Sequence, residues 1–195
     1  MIQRHVLVID DDVKSLEVLA EMLGALDRMT KPTVARVHGA AFAGGTGLVA
    51  ACDIAIGTPQ AKFCFSEAKL GLSPATISPY VIRAIGERAA RRYFLSAEVF
   101  GAEDALRIGM LSRLVAAEEL DAAIEDLLKH LLSGGPQAHA KIKELQRAVS
   151  GRLLDEALIA DTARRIAEIR ASEEGKEGIA AFLDKRKPSW CSPKS

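Results

Sequence analysis

Glu67 and the closely spaced glycines Gly44, Gly45 and Gly47 are the residues of this 195-residue chain whose types and spacing point to chemistry. The glycines stand between Val37-His38-Gly39-Ala40-Ala41-Phe42-Ala43 and the apolar run Leu48-Val49-Ala50-Ala51-Cys52-Asp53. A strand that enters glycines and then a helix leaves backbone N–H groups unsatisfied at the helix start, where the dipole favours developing negative charge. Amides held in that way make an oxyanion hole. The competing reading is packing: small residues let a helix lie close to a sheet. No Lys-Ser or Lys-Thr pair follows, which excludes a phosphate-cradling loop, and Gly44-x-x-Gly47 is a poor dinucleotide fingerprint.

Glu67 follows the apolar run Phe63-Cys64-Phe65. A carboxylate at the mouth of such a strand has its pKa raised by desolvation, which suits a group that must take and return protons near neutral pH. A salt bridge to Lys69 or Arg83 is the alternative. His5 and His38 have no convincing partner, and His130 and His139 lack a ligand mate four residues away, so no metal site is expected. Ser66 and Ser78 lack the context of a nucleophile elbow. The basic run Lys185-Arg186-Lys187 reads as a solvated helix end that could also meet an anionic phosphate.

The whole chain narrows the function classes further. Lys and Arg total 26 and Asp and Glu total 26, so no net field recruits nucleic acid or an anionic membrane. Cys52, Cys64 and Cys191 are an odd number without metal-ligand spacing, which suits free thiols in a reducing compartment. Val6–Ile9 is too short for a signal segment, and the Ala/Gly-rich stretch near Phe42 is too short to span a bilayer, so a cytoplasmic protein is expected.

The elements that must position these groups read as an α/β core with a helical C-terminal third. Val6–Ile9 is a candidate strand, with Asp10-Asp11-Asp12 capping a helix that carries Leu16, Leu19, Leu23 and Leu26. Thr33–His38, Asp53–Ile56, Ala61–Phe65 and Met110–Val115 read as strands, and Gly47–Cys52 as helix. Helices are also expected at Tyr80–Ile85, Arg88–Leu95, Ala102–Ile108, Leu120–Leu132, Pro136–Val149, Leu153–Arg170 and Glu173–Leu183. The apolar residues Leu154, Leu158, Ile159, Ile166 and Ile169 of the Leu153–Arg170 helix could serve an intersubunit face or an intrachain one.

Taken together, these residues resemble the enoyl-CoA hydratase/isomerase (crotonase) superfamily. The matching text is Lys31–Gly39, the glycine turn with Ala51–Ala55, Ala61–Phe63 through Glu67–Leu72, Arg83–Gly86, Ala102–Gly109, and Glu174–Gly178 leading to Phe182–Pro188. Within it, Pro74–Tyr80 and Gly86–Leu95 look most like bacterial hydratases of 3-methylglutaconyl-CoA and related branched thioesters, which act in leucine catabolism. The resemblance implies a crotonase-like fold, a ββα spiral core over 1–116 and a helical region over 117–195 that serves trimerisation and the coenzyme A site.

It also implies a lyase that adds water across the double bond of an enoyl-CoA thioester. The thioester oxygen would sit on backbone N–H groups, one of them from Gly44, and Glu67 matches the glutamate that orients water and shuttles the proton. Phe182 and Lys185 match positions that approach coenzyme A. No cofactor beyond the thioester substrate is implied, and a homotrimer or hexamer is.

Two departures from the family pattern are visible. Two-glutamate hydratases have their other carboxylate where this chain has Gly47. The family's opening strands, with the loop that supplies the second oxyanion N–H, have no counterpart before Met1, so the core reads as truncated at its start. A catalytically silent crotonase-like subunit is therefore an alternative. So is a magnesium-dependent phospho-receiver domain, since Val6–Asp12 with Asp53 resembles its clustered aspartates, although its later hydroxyl and lysine positions are not recognisable here.

Overall fold

The computed structural model describes residues 13–191. The expected strand Val6–Ile9 and the aspartate cap lie outside the described residues. Two compact units divide the chain, one of residues 13–28 and 33–124, the other of residues 29–32 and 125–191.

The first unit holds all the strands found among the described residues. Helix α1 (Val13–Arg28) turns Leu19 and Leu23 into the core and leaves Leu16 exposed. Thr33 then precedes β1 (Val34–Val37), followed by β2 (Ala40–Phe42), α2 (Gly44–Ala51), β3 (Ile54–Gly57) and β4 (Lys62–Cys64). Successive strands belong to alternate sheets: β1 pairs parallel with β3, and β2 pairs parallel with β4. Such an alternation winds the chain as a spiral in which α2 makes the crossover that parallel strands require. Two short strands complete the sheets, β5 (Phe100–Gly101) antiparallel to β4 and β6 (Arg113–Leu114) parallel to β3.

Register is fixed at the strand starts as well as along them. Asp53 Oδ2 accepts from Thr33 N at 2.7 Å and from Thr33 Oγ1 at 2.9 Å, while Asp53 N donates to Thr33 Oγ1 at 2.9 Å. This exchange ties the beginning of β1 to the beginning of β3. Asp53 therefore stands before its strand, locked to Thr33, and not at a strand end where a receiver's acidic cluster would gather.

Helix α3 (Ser78–Ser96) is broken at Gly86, whose φ of 74° and ψ of 161° separate the two helical segments expected from the sequence. It packs Val81, Ile85, Ala90 and Tyr93 inward. Around β4 the core is aromatic: Phe63 stacks on Phe100 at 5.5 Å, Tyr93 on Phe100 at 4.1 Å, and Phe65 meets Phe94 edge-on at 4.8 Å. Helix α4 (Ala102–Arg107) closes the unit, and α5 (Leu120–Ser133) carries the chain onward.

The second unit is helical: α6 (Pro136–Val149), α7 (Glu156–Ala171) and α8 (Glu173–Leu183). Asp155 caps α7 by accepting from Leu158 N, and Ser172 caps α8 by accepting from Gly175 N. Glu174 accepts from Gln137 N at 3.0 Å and Ala138 N at 2.7 Å, so a carboxylate from α8 satisfies the first turn of α6. Helix α7 begins three residues later than the apolar pattern suggests, because Leu153 and Leu154 precede its cap and are exposed. Of the expected apolar face, Leu158 is buried while Ile159 and Ile166 are exposed.

A clasp holds the segment after α8. Glu177 accepts from Arg186 Nη1 and Nη2 at 2.7 and 2.9 Å and from Ser189 N at 2.9 Å, and Trp190 Nε1 donates to Ser133 O at 3.1 Å. The Arg186 hydrogen bonds, first, and the Ser189 amide, second, hold the Glu177 carboxyl at about 2, below its ordinary 4.5. A depressed carboxyl contributes stability that is present above 4.5 and lost as pH falls through about 2. We expect the fluorescence of Trp190, the chain's one tryptophan, to shift over that acid window and the transition to be absent in Glu177→Gln, which has no carboxyl to protonate.

Candidate active site

Strands β2 and β4 run parallel with Phe42 opposite Cys64, so both leave the sheet at one end. Beyond that end β2 continues into Ala43 and Gly44, and β4 into Phe65, Ser66 and the 3-10 turn Glu67–Leu70. The Ala43 N–H donates to Cys64 O at 2.9 Å, extending the ladder to the threshold of α2. Gly44 and Glu67, singled out in the sequence, are thus delivered to the same sheet end by neighbouring parallel strands.

The start of α2 is aimed by backbone geometry. Ala43 adopts φ 46° and ψ −119°, a conformation an L side chain resists. Its carbonyl accepts from Thr46 N at 3.0 Å and Gly47 N at 3.2 Å. The amides of Gly44 and Gly45 come before those donors, in the first turn that has no intrahelical acceptor. Thr46, fully buried, donates its hydroxyl to Ala41 O at 2.6 Å, with Cys64 O at 3.4 Å, and so ties the helix start to both strands. Replacing Ala43 with glycine should relieve the strain and raise stability by about 1 kcal/mol, measured as a higher denaturant midpoint with unchanged slope.

Glu67 is half-buried, and its Oε2 is shut off from solvent without a hydrogen-bond partner. Desolvation pushes its carboxyl above the ordinary value, offset in part by its own backbone N–H. Among the described residues Glu67 makes no ion pair; Arg83 is engaged by Asp27 instead. The salt-bridge alternative for Glu67 is therefore not what the structure contains. Glu67 thus brings a carboxyl oxygen without a hydrogen-bond partner to the sheet end where α2 begins.

The other candidates have ordinary employment. His38 is exposed with Nδ1 3.2 Å from Arg36 Nη1, and Arg36 pairs with Asp121 at 2.7 Å. Ser78 donates to Ala75 O at 2.9 Å. Cys64 Sγ donates to Ala97 O at 3.3 Å, and burial raises its thiol pKa, which makes it unreactive. No group of three metal-ligating side chains occurs among the described residues, and no described helix is long and apolar enough to cross a membrane.

Phe182 and Lys185 lie together at the end of α8 in the second unit. Phe182 is 82% exposed, and Lys185, also exposed, has φ 54°. Its N–H donates to Phe182 O at 3.2 Å, and Arg186 N donates to Ala181 O at 3.0 Å, so a lysine closes the helix in the left-handed conformation usually given to glycine. Three contributors around the start of α2 escaped the sequence reading: Ala43, Thr46 and Ile77, which packs over Gly47. A threonine inside a Gly-Gly-x-Gly helix start was the available signal for Thr46; nothing local marked Ile77.

Comparison with known proteins assigns the fold to a family. A family model described as enoyl-CoA hydratase/isomerase matches residues 3–193. The enoyl-CoA hydratase ACTT6 of Alternaria alternata is 35% identical over 176 residues, 89% of this chain and 58% of that protein. Carnitinyl-CoA dehydratase of Escherichia coli is 32% identical over 166 residues, 83% of this chain and 64% of that protein. Among solved structures, an enoyl-CoA hydratase from Shewanella pealeana superposes with a TM-score of 0.86 at 45% identity, covering 91% of this chain and 66% of that one. One from Mycobacterium smegmatis gives 0.84 at 32%, covering 92% and 68%.

This chain belongs to the enoyl-CoA hydratase/isomerase family and has the crotonase-type α/β fold. It spans about 60% of the length of the curated relatives it matches.

Proposed function

We propose that this chain carries the oxyanion and proton-transfer half-site of an enoyl-CoA hydratase. The observation that carries the reading is that the half-buried Glu67 carboxyl, whose Oε2 is shut off from solvent without a partner, and the start of α2 lie at one end of the β2–β4 ladder. The Gly44 N–H donates to the thioester oxygen and draws electron density from the conjugated double bond, making its β-carbon electrophilic. Ionised Glu67 takes a proton from water as the water oxygen bonds to that carbon. It then returns the proton to the α-carbon as the enolate collapses to the thioester. Phe42, Leu70 and Leu72 flank these groups in sequence and expose apolar surface suited to an acyl chain.

Within the class, a branched glutaconyl-type thioester is the substrate proposed, on the resemblance of Pro74–Tyr80 and Gly86–Leu95 to hydratases of such compounds. Phe182 and Lys185 are proposed to approach coenzyme A, and a homotrimer is the proposed assembly. The test follows loss of enoyl absorbance with crotonyl-CoA and 3-methylglutaconyl-CoA, for the chain and Glu67→Gln side by side. Turnover that vanishes in the variant supports hydration; equal rates would remove the reading. Saturable coenzyme A binding without turnover would favour the silent subunit instead.

A further inference from the structure

Gly47 stands one turn beyond Gly44 on α2, and residues three apart share a helix face. A side chain at position 47 would therefore rise on the side of the helix that presents Gly44. The structure leaves no room for one. A Cβ built on Gly47 would overlap Cγ2 of Ile77 and lie 2.8 Å from Ile77 Cβ.

Ile77 cannot easily step aside. It is 2% exposed, sits in the main core, and its carbonyl accepts from Tyr80 N and Val81 N, both at 3.1 Å. Its β-branch restricts χ1, so the clash falls on a stiff part of the side chain rather than a mobile tip. Helix α2 has no ionisable residue along its length, Gly-Gly-Thr-Gly-Leu-Val-Ala-Ala, and neither does β2. At the β4 side the acid is Glu67, with Lys69 the other charge of the same turn.

We propose that Ile77 is a positioning residue that limits this site to a single proton-transferring side chain, by filling the volume over Gly47 where a second would stand. The inference rests on the hydration reading above. With that volume closed, the proton taken from water has one carrier, and Glu67 performs both its removal and its return. Ile77 thereby decides how the reaction is run without touching the reacting atoms.

The test is a double-mutant cycle of Gly47→Glu, Ile77→Ala and the pair, read by thermal midpoint and by the pH profile of kcat/KM on the enoyl-CoA substrate. Gly47→Glu alone should lower the midpoint by about 5 °C or more through overpacking. The pair should lose clearly less than the sum of the two single variants, because the shortened side chain makes room for the new one. Its pH profile should gain a second ionisation that the parent lacks.

Additive midpoint losses would overturn the proposal, since Ile77 would then not be what closes the volume. A coupled pair whose pH profile keeps the parent's single limb would overturn it as well, because the volume would not open on the reacting groups. Should Gly47→Glu fail to fold, Gly47→Ala, whose added carbon meets the same two Ile77 atoms, takes its place in the midpoint cycle. An inactive parent, by contrast, counts against the hydration reading itself and is seen before any variant is made.

Discussion

Glu67→Gln should lower the hydration rate by about 10²–10⁴-fold, the range for loss of a positioned general acid–base, and should raise thermal stability at neutral pH. Amide replaces carboxyl with little change in shape, so binding of the thioester is expected to persist and the loss to fall on kcat. The stability gain follows from the direction of the carboxyl's shift. Burial raises Glu67 above its ordinary 4.5, so the folded state holds its proton more tightly than the unfolded chain does. The stability this group contributes is fully present below the unfolded value and is lost as pH rises through the folded one.

Glutamine carries no such penalty. The midpoints of parent and variant should coincide in acid, diverge as pH rises past 4.5, and stay apart by a constant amount above the raised value. The parent's kcat/KM should climb over the same interval, as the base form appears. A variant less stable than the parent at neutral pH would show that the Glu67 carboxylate is satisfied by contacts outside this account.

Phe65→Ala should destabilise the first unit by about 3–5 kcal/mol and abolish activity with it. Phe65 is fully buried, meets Phe94 at 4.8 Å and Phe100 at 5.9 Å, and lies two residues before Glu67. Its removal leaves a cavity that the surrounding stacked rings cannot collapse into without losing their own contacts. The loss should appear as a midpoint lowered by roughly 10 °C or more, with turnover falling in step with the folded fraction. Phe65→Leu, which keeps most of the volume, should recover the larger part of both.

Much of this architecture was legible in the sequence where local chemistry sets the element. Pro136 after paired glycines and the Ser172 cap mark α6 and α8, and the bounds of those helices agree with the expectation to the residue. Where pairing across the chain decides, the sequence was less explicit. Strand β2 was hidden within the glycine turn, because Ala40–Phe42 is extended by its pairing with Lys62–Cys64 rather than by propensity. Helix α2 begins three residues earlier than expected, at Gly44, since tertiary contacts hold three glycines in a helix they would not form alone. The expected strand Met110–Val115 contracts to Arg113–Leu114, where β3 offers a partner.

The candidate site divides in the same way. Glycine spacing and a lone glutamate after an apolar strand were visible as residue types, and the structure adds that parallel strands bring them to one sheet end. Ile77 was invisible because its significance lies in an empty Cβ position thirty residues earlier in the chain. Steric exclusion between distant segments leaves no mark on local pattern.

The shared exit of β2 and β4 also sets a rule of tolerance for chain length. Between the helix start and the carboxyl, the turn Thr58-Pro59-Gln60-Ala61, closed by Ala61 N on Thr58 O at 2.9 Å, exposes Pro59 and Gln60. Extra residues would be absorbed there as a longer bulge on the surface. A single residue gained or lost at Phe65 or Ser66 would instead swing the acid off its bearing, however conservative its chemistry. Natural variants of this half-site should therefore differ freely in length at the Thr58–Ala61 turn while keeping fixed the number of residues between β4 and the acid.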